Sequence, residues 1–129
     1  MENDLRAALI AWLAADPALA AINAIEEETP LSATPPWLGI AASASTEWGT
    51  KDRMGREVRV ALELDSYTDL TAGDANLLGA IERRVLDLPP FHTGFEIASI
   101  RFLRSRSEAR ADNRRAALLE YRFRLFAPL

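Results

Sequence analysis

The 129 residues contain no cysteine and a single histidine. Without cysteine there is no disulfide framework, no thiol nucleophile and no thiolate zinc site, so packing alone must hold the fold, which suits a reducing cytoplasm. With one histidine, His92, an imidazole-based triad has a single residue to serve as its base, and a metal site would need carboxylates gathered from elsewhere. Long apolar runs are also missing. No stretch approaches the roughly 18–20 continuous apolar residues of a membrane-spanning helix, and the opening Met1-Glu2-Asn3-Asp4 is acidic where a secretion signal is basic. The expectation is a soluble, unexported chain with no membrane partner.

What is present is ordinary for a globular domain: 49% hydrophobic and 26% charged residues place the chain well away from disordered compositions. A chain of this length builds one core, so residues 1–129 are expected to form a single domain. The net charge of −4 conceals a division. Residues 1–96 carry 7 basic and 16 acidic groups, whereas residues 97–129 carry 8 and 3. Segments of opposite sign can neutralise each other within one fold or guide copies of the chain head to tail.

Leu5, Leu9, Trp12 and Leu13 follow helical spacing, with Asn3 expected to cap the helix and Asp16 near its end. Pro17 suits the first turn of a short second helical piece, followed by an extended stretch. Glu26-Glu27-Glu28 through Pro35-Pro36 reads as an exposed connection. A strand is expected from Trp37 to about Thr46, a mobile charged loop from Trp48 to Gly55, and then a strand in which Val58, Val60, Leu62 and Leu64 alternate with polar residues. Thr71 to Asp74 resembles a capping box ahead of a helix carrying Leu77, Leu78, Ile81, Val85 and Leu88. Two last strands, about Ile97–Ser105 and Ala116–Phe126, are expected to flank a polar connection from Arg106 to Arg115. The expected fold is α+β: an antiparallel sheet of about four strands packed on one face by two α-helices, in the order α-β-β-α-β-β.

Chemistry is hard to find. His92 lies in Pro90-Phe91-His92-Thr93-Gly94 and reads as a surface turn residue. Gly49 to Gly55 spans five intervening residues and is followed by Arg56-Glu57, so it fails the phosphate-loop pattern, which needs four and then Lys-Ser/Thr. The carboxylates of Glu26, Glu27 and Glu28 alternate sides in an extended segment and do not converge on an ion. The arginines at 101, 104, 106, 110, 114 and 115 could meet phosphates, but the overall acidity argues against specific nucleic-acid recognition. No catalytic, cofactor-binding or metal-ligating residues are assigned, and no enzyme activity is expected.

Several passages together resemble a known family. They are Leu5-Arg6-Ala7-Ala8-Leu9 followed by Asp16-Pro17-Ala18-Leu19, Pro36-Trp37-Leu38, and Thr46-Glu47-Trp48 with Gly55-Arg56-Glu57. Ile81 to Leu88, Ser99-Ile100-Arg101-Phe102 and Tyr121-Arg122-Phe123-Arg124 continue the pattern. In order and spacing they resemble the tail-completion or tail terminator family of tailed phages, prophages and gene transfer agents. The resemblance implies a head-to-tail joining subunit that caps the tail tube as a ring, commonly of six copies, assembled in the bacterial cytoplasm and carried in the particle. It implies as partners the tail tube protein, head connector or stopper proteins and further copies of the chain, with non-specific contact to passing DNA possible in principle. By analogy, subunit or neighbour contacts are expected at Trp48, Lys51, Arg53 and Arg56, and at Arg106, Arg110, Arg114 and Arg115. The competing readings are a small non-phage adaptor domain and an enzyme with an unfamiliar site.

Overall fold

A computed structural model describes residues 1–30, 32–68 and 71–129, and of residues 71–74 the backbone only. Its centre is a pair of long antiparallel strands, β3 (Gly55–Tyr67) and β6 (Arg114–Phe126), matched from Gly55↔Phe126 to Tyr67↔Arg114 without a slip. Strand period two explains the pairing: Val58, Val60 and Leu62 sit opposite Phe123, Tyr121 and Leu119, all buried on one face. A one-residue slip would turn that entire apolar set outward, so burial fixes the register.

Around this pair the sheet grows to six strands in the order β1-β2-β3-β6-β5-β4. β2 (Trp37–Glu47) pairs with β3, and β5 (Phe95–Arg110) with β6, both antiparallel. Short outer strands β1 (Ala24–Ile25) and β4 (Phe91–His92) cover only the beginnings of β2 and β5. β2 is bulged between Ile40 and Ala42, and β5 between Ile97 and Ser99 and between Phe102 and Arg104. An extra residue bends its strand and increases local twist, in keeping with a curled sheet.

Helices α1 (Glu2–Ala14) and α2 (Thr71–Leu86) join the apolar sheet face in one cluster, in which Leu5, Leu9 and Leu13 meet Ile81, Val85 and the strand residues. The two helices are also clasped directly. Trp12 Nε1 donates to the Arg84 carbonyl at 2.7 Å, Arg84 Nε donates to the Trp12 carbonyl at 2.8 Å, and the Arg84 guanidinium lies 3.3 Å from the Trp12 ring centre. A short 3-10 turn, Pro17–Leu19, follows α1, with Asp16 Oδ1 accepting from the Ala18 N–H at 3.0 Å.

The expected four-stranded antiparallel sheet is thus corrected. The sheet is six-stranded and mixed, because β1 runs parallel to β2, and the order of main elements is α1-β1-β2-β3-α2-β4-β5-β6. The connection expected from Arg106 to Arg115 is mostly strand: only Ala111 to Asn113 turn, with Asp112 and Asn113 both at φ 60°. Asx residues tolerate this left-handed conformation, which lets the two strands run to the tip. Phe91-His92 forms β4 rather than a turn, its hairpin closing at Gly94 (φ 93°). Asn3 lies inside α1, whose N-cap position is Met1. The capping box expected at Thr71–Asp74 falls outside the described side chains.

Because Arg84 both stacks on Trp12 and bonds its carbonyl, Arg84→Ala should destabilise the fold by about 1–3 kcal/mol. Arg84→Lys, which keeps the charge without the planar group, should recover only part of that in urea denaturation.

Candidate interaction surface

Seven of the eight sequence-predicted contact residues fall at the two ends of the sheet, twelve residue steps apart along β3, or about 40 Å at strand rise, and Arg106 lies in the row of Glu63, four steps short of the far end. At the first end are Trp48, Lys51, Arg53 and Arg56. Trp48 packs 5.0 Å from the Phe126 ring, with the Arg124 guanidinium 5.5 Å from its own. Arg53 is occupied within the chain: it pairs with Glu96 at 2.6 Å, donates to the Ala127 carbonyl at 3.1 Å and lies over Phe126 at 4.6 Å. Arg56 pairs with Glu2 at 3.3 Å. Backbone bonds from Thr50 to Arg53 and from Ala127 to Met54, both 2.9 Å, tie the loop to the chain end. Lys51 alone of the four is fully exposed.

Towards the far end Arg106 approaches Glu108 at 3.5 Å, Arg110 reaches Glu63 and Glu108 at 3.3 Å each, and Arg115 is exposed. Arg114 Nε lies 3.2 Å from Asp65 Oδ1, although the orientation makes no hydrogen bond. Asp65 is 1% exposed. Burial raises its pKa above the ordinary aspartate value, with Arg114 and Arg110 pulling the other way. Glu63 is likewise raised by burial, against the pull of Arg110. Part of the predicted basic patch therefore serves as countercharge to the buried Asp65 and the partly buried Glu63 of β3.

Between the ends, the sheet face opposite the helices brings together residues that the sequence offered only separately. Arg59, Arg122 and Arg101 stand in one row across β3, β6 and β5, with Ala44 of β2 completing it. In the next row Glu57 serves three guanidiniums, at 3.2 Å from Arg124 and 3.9 Å from both Arg122 and Arg59. On the other side Arg104 hydrogen-bonds Glu120, which holds that carboxyl below its ordinary pKa. Where Ala42, Ala44 and Ala61 lie among these long side chains the face sinks into a depression of about 250 Å³, bordered by Leu103. Alternation in β6 alone hints at an Arg122–Arg124 face; the row with Arg59 and Arg101 needs the pairing register. Among the described residues no cluster of three or more metal-ligating side chains occurs, and no helix is long and apolar enough to cross a membrane.

The raised pKa of Asp65 has a definite sign. Its contribution to stability is complete below the ordinary aspartate range, while the carboxyl is protonated, and is lost as pH rises through the folded-state value. Asp65→Asn should therefore match the native chain in acid and gain on it progressively towards neutral pH, in urea midpoints taken across a pH series. The reverse trend would mean that the pull of Arg114 outweighs burial.

Comparison with known proteins connects this architecture to a family. No curated protein matches the sequence. Among solved structures, a chain of the virion of a native gene transfer agent particle superposes with a TM-score of 0.82 at 16% identity, covering 98% of this chain and 97% of that one. At that identity the likeness shows a shared fold. Residues 7–125 match the family described as tail completion protein gp17. That span takes in α1 from Ala7 onward, all of α2 and the six strands except Phe126. The chain therefore belongs to the tail completion protein gp17 family and is a structural component of the phage tail.

Proposed function

We propose that the chain is the subunit of a ring that caps the head-proximal end of the tail tube and joins the tail to the filled head, assembled in the bacterial cytoplasm without any catalytic step. The observation that carries this reading is the family match over residues 7–125. The fold is compatible with the role. A sheet with charged clusters at both ends offers one end to the tail tube protein and the other to a connector or stopper, while neighbouring copies meet side to side. Heterologous contacts of that kind close into a ring when the rotation between copies divides the circle; six copies is the number the family resemblance implies. The non-specific DNA contact falls to the exposed arginines of the outer sheet face, Arg59 and Arg101.

Deletion of the gene from a particle-producing strain should leave filled heads beside unattached or overlong tails in negative-stain electron microscopy. Normally joined particles would refute the role. Within the end clusters, the exposed Lys51 and Arg115 are the residues to test for partner contact, since Arg53 and Arg56 are engaged within the chain. Lys51→Glu and Arg115→Glu should each lower the yield of joined particles while changing the unfolding free energy by no more than a surface substitution does, within about 0.5 kcal/mol. Unchanged yields for both would remove these positions from the contact surface.

A further inference from the structure

The sheet has two free edges, and they differ. On one side β1 covers only Trp37 and Leu38, continued by bonds from the Glu26 N–H to the Leu38 carbonyl (3.1 Å) and from the Ile40 N–H to the Glu27 carbonyl (3.2 Å). Beyond them, among the described residues, no strand pairs with the outer side of Ala41–Glu47, every residue of which is exposed. On the other side β4 covers only Phe95 and Glu96, and no described strand lies outside β5 from Ser99 to Arg110. Unpaired edges of this length invite another strand, and proteins usually blunt them with charge, proline or bulges. The β5 edge carries Arg101, Arg104, Arg106 and Arg110; the β2 edge from Ala41 to Thr46 carries only alanine, serine and threonine. Two β5 edges repel each other, whereas β5 and β2 do not.

We infer that the β5 edge of one copy pairs with the β2 edge of the next, so that the sheets of neighbouring subunits run into one another. This inference rests on the ring reading above and says which surfaces form the ring. Direction supports it. β2, β3, β6 and β5 alternate in sense, so β5 runs opposite to β2. A rotation about an axis lying along the strands leaves their sense unchanged, and the neighbour's β2 then arrives antiparallel to β5, as the sheet already alternates.

Charge along the rows supports it as well. The row through Ala44, Arg59 and Arg122 ends at Arg101, and the row through Gly39, Glu63 and Leu118 ends at Arg106. Beside Gly39 on the opposite edge stand the exposed Glu26, Glu27 and Glu28. Copies at equal height therefore place Ser99–Phe102 against the small residues Ser43–Thr46, Arg104 against Ala42, and Arg106 against the glutamates. The β2 bulge and the second β5 bulge fall on neighbouring rows, so each edge bends at nearly the same height, where β1 coverage ends. The mode is strand addition between identical chains, with main-chain bonds supplying affinity and the charged rows supplying register.

The absence of cysteine allows a direct test. Ala44→Cys is combined in turn with Ser99→Cys, Arg101→Cys or Arg104→Cys, which covers the equal-height register and one face-preserving step on either side. Within one subunit these positions are three strand spacings apart, about 14 Å, too far for a disulfide, which spans at most about 7 Å between Cα atoms. Oxidised particles from one of the three variants should give an SDS-resistant ladder of chain multiples that collapses on reduction, with no ladder from the matching single variants. Particles that contain the chain but yield only monomer with all three pairs would overturn the edge pairing and leave the tail-completion role standing. Dimers from Ala44→Cys alone would overturn it in favour of a two-fold β2 contact, and particles formed and joined without the chain would overturn the ring reading too.

A charge exchange covers the case in which the cysteine variants do not accumulate. Glu27→Arg and Arg106→Glu should each reduce joined particles roughly tenfold, and the two combined in one chain should restore them, since the contact between copies is then exchanged in sign while the neighbouring Arg6 and Glu108 are the same in the single and double variants. A double variant no better than the worse single one would overturn the pairing.

Discussion

The register between β3 and β6 is the constraint on which the rest depends. Thirteen successive residue pairs are matched without a bulge, whereas β2 and β5 each carry at least one irregularity. The reason lies in what each strand buries. β3 and β6 present apolar side chains to the helices along nearly their full length, so any slip would expose several large residues at once, at about 25 cal/mol for every Å² of apolar surface. β2 and β5 bury little beyond Trp37, Leu38, Phe95 and Ile97, all near the start of each strand, and can bend further along without exposing a core. Rigidity in the middle and freedom at the margins follow from one pattern of burial.

The same register organises charge. Acidic side chains on β3 are met across the sheet by arginines from β5 and β6, with Glu57 facing Arg124 and Glu63 within reach of Arg110. The division of charge between the first 96 residues and the last 33 is therefore largely internal. Hairpin β5–β6 brings the basic third of the chain alongside acidic β3, and surplus positive charge remains at Arg59 and Arg101, where exposure is high. Surface pairs of this kind contribute little energy each, and their effect is mainly to decide which potential each edge presents.

Strands with one wet and one dry face were legible in the sequence. Val58 to Leu64 and Leu119 to Leu125 alternate because water lies on one side only. The outer half of β5 was not, since Ser105-Arg106-Ser107-Glu108-Ala109-Arg110 is exposed on both faces and leaves no apolar period to read. It is a strand because β6 pairs with it. β1 was legible only as an extended stretch and not as a strand of the sheet: two residues are too few for any period, and a parallel partner leaves no hairpin signature. Among the predicted contact residues, Trp48, Arg53 and Arg56 do gather at one end of the sheet, but the occupation of both arginines by Glu96 and Glu2 depends on residues remote in sequence. The outer row of Arg59, Arg101 and Arg122 was out of reach for the same reason, because only strand pairing brings these positions together.

One consequence of the strand order concerns how the chain reaches this structure. β6 sits between β3 and β5 at the heart of the sheet, yet it is made after every other element. While the ribosome is still adding residues 114–126, β3 has its apolar face and only β2 beside it, and β5 has only the two residues of β4. Helices α1 and α2 meanwhile lack half the surface they pack against. The last strand is the keystone: folding of the whole unit waits for its arrival, and its pairings with β3, 47 to 71 residues apart, then close together, a topology that favours slow, concerted assembly of the core over stepwise growth from the N-terminus.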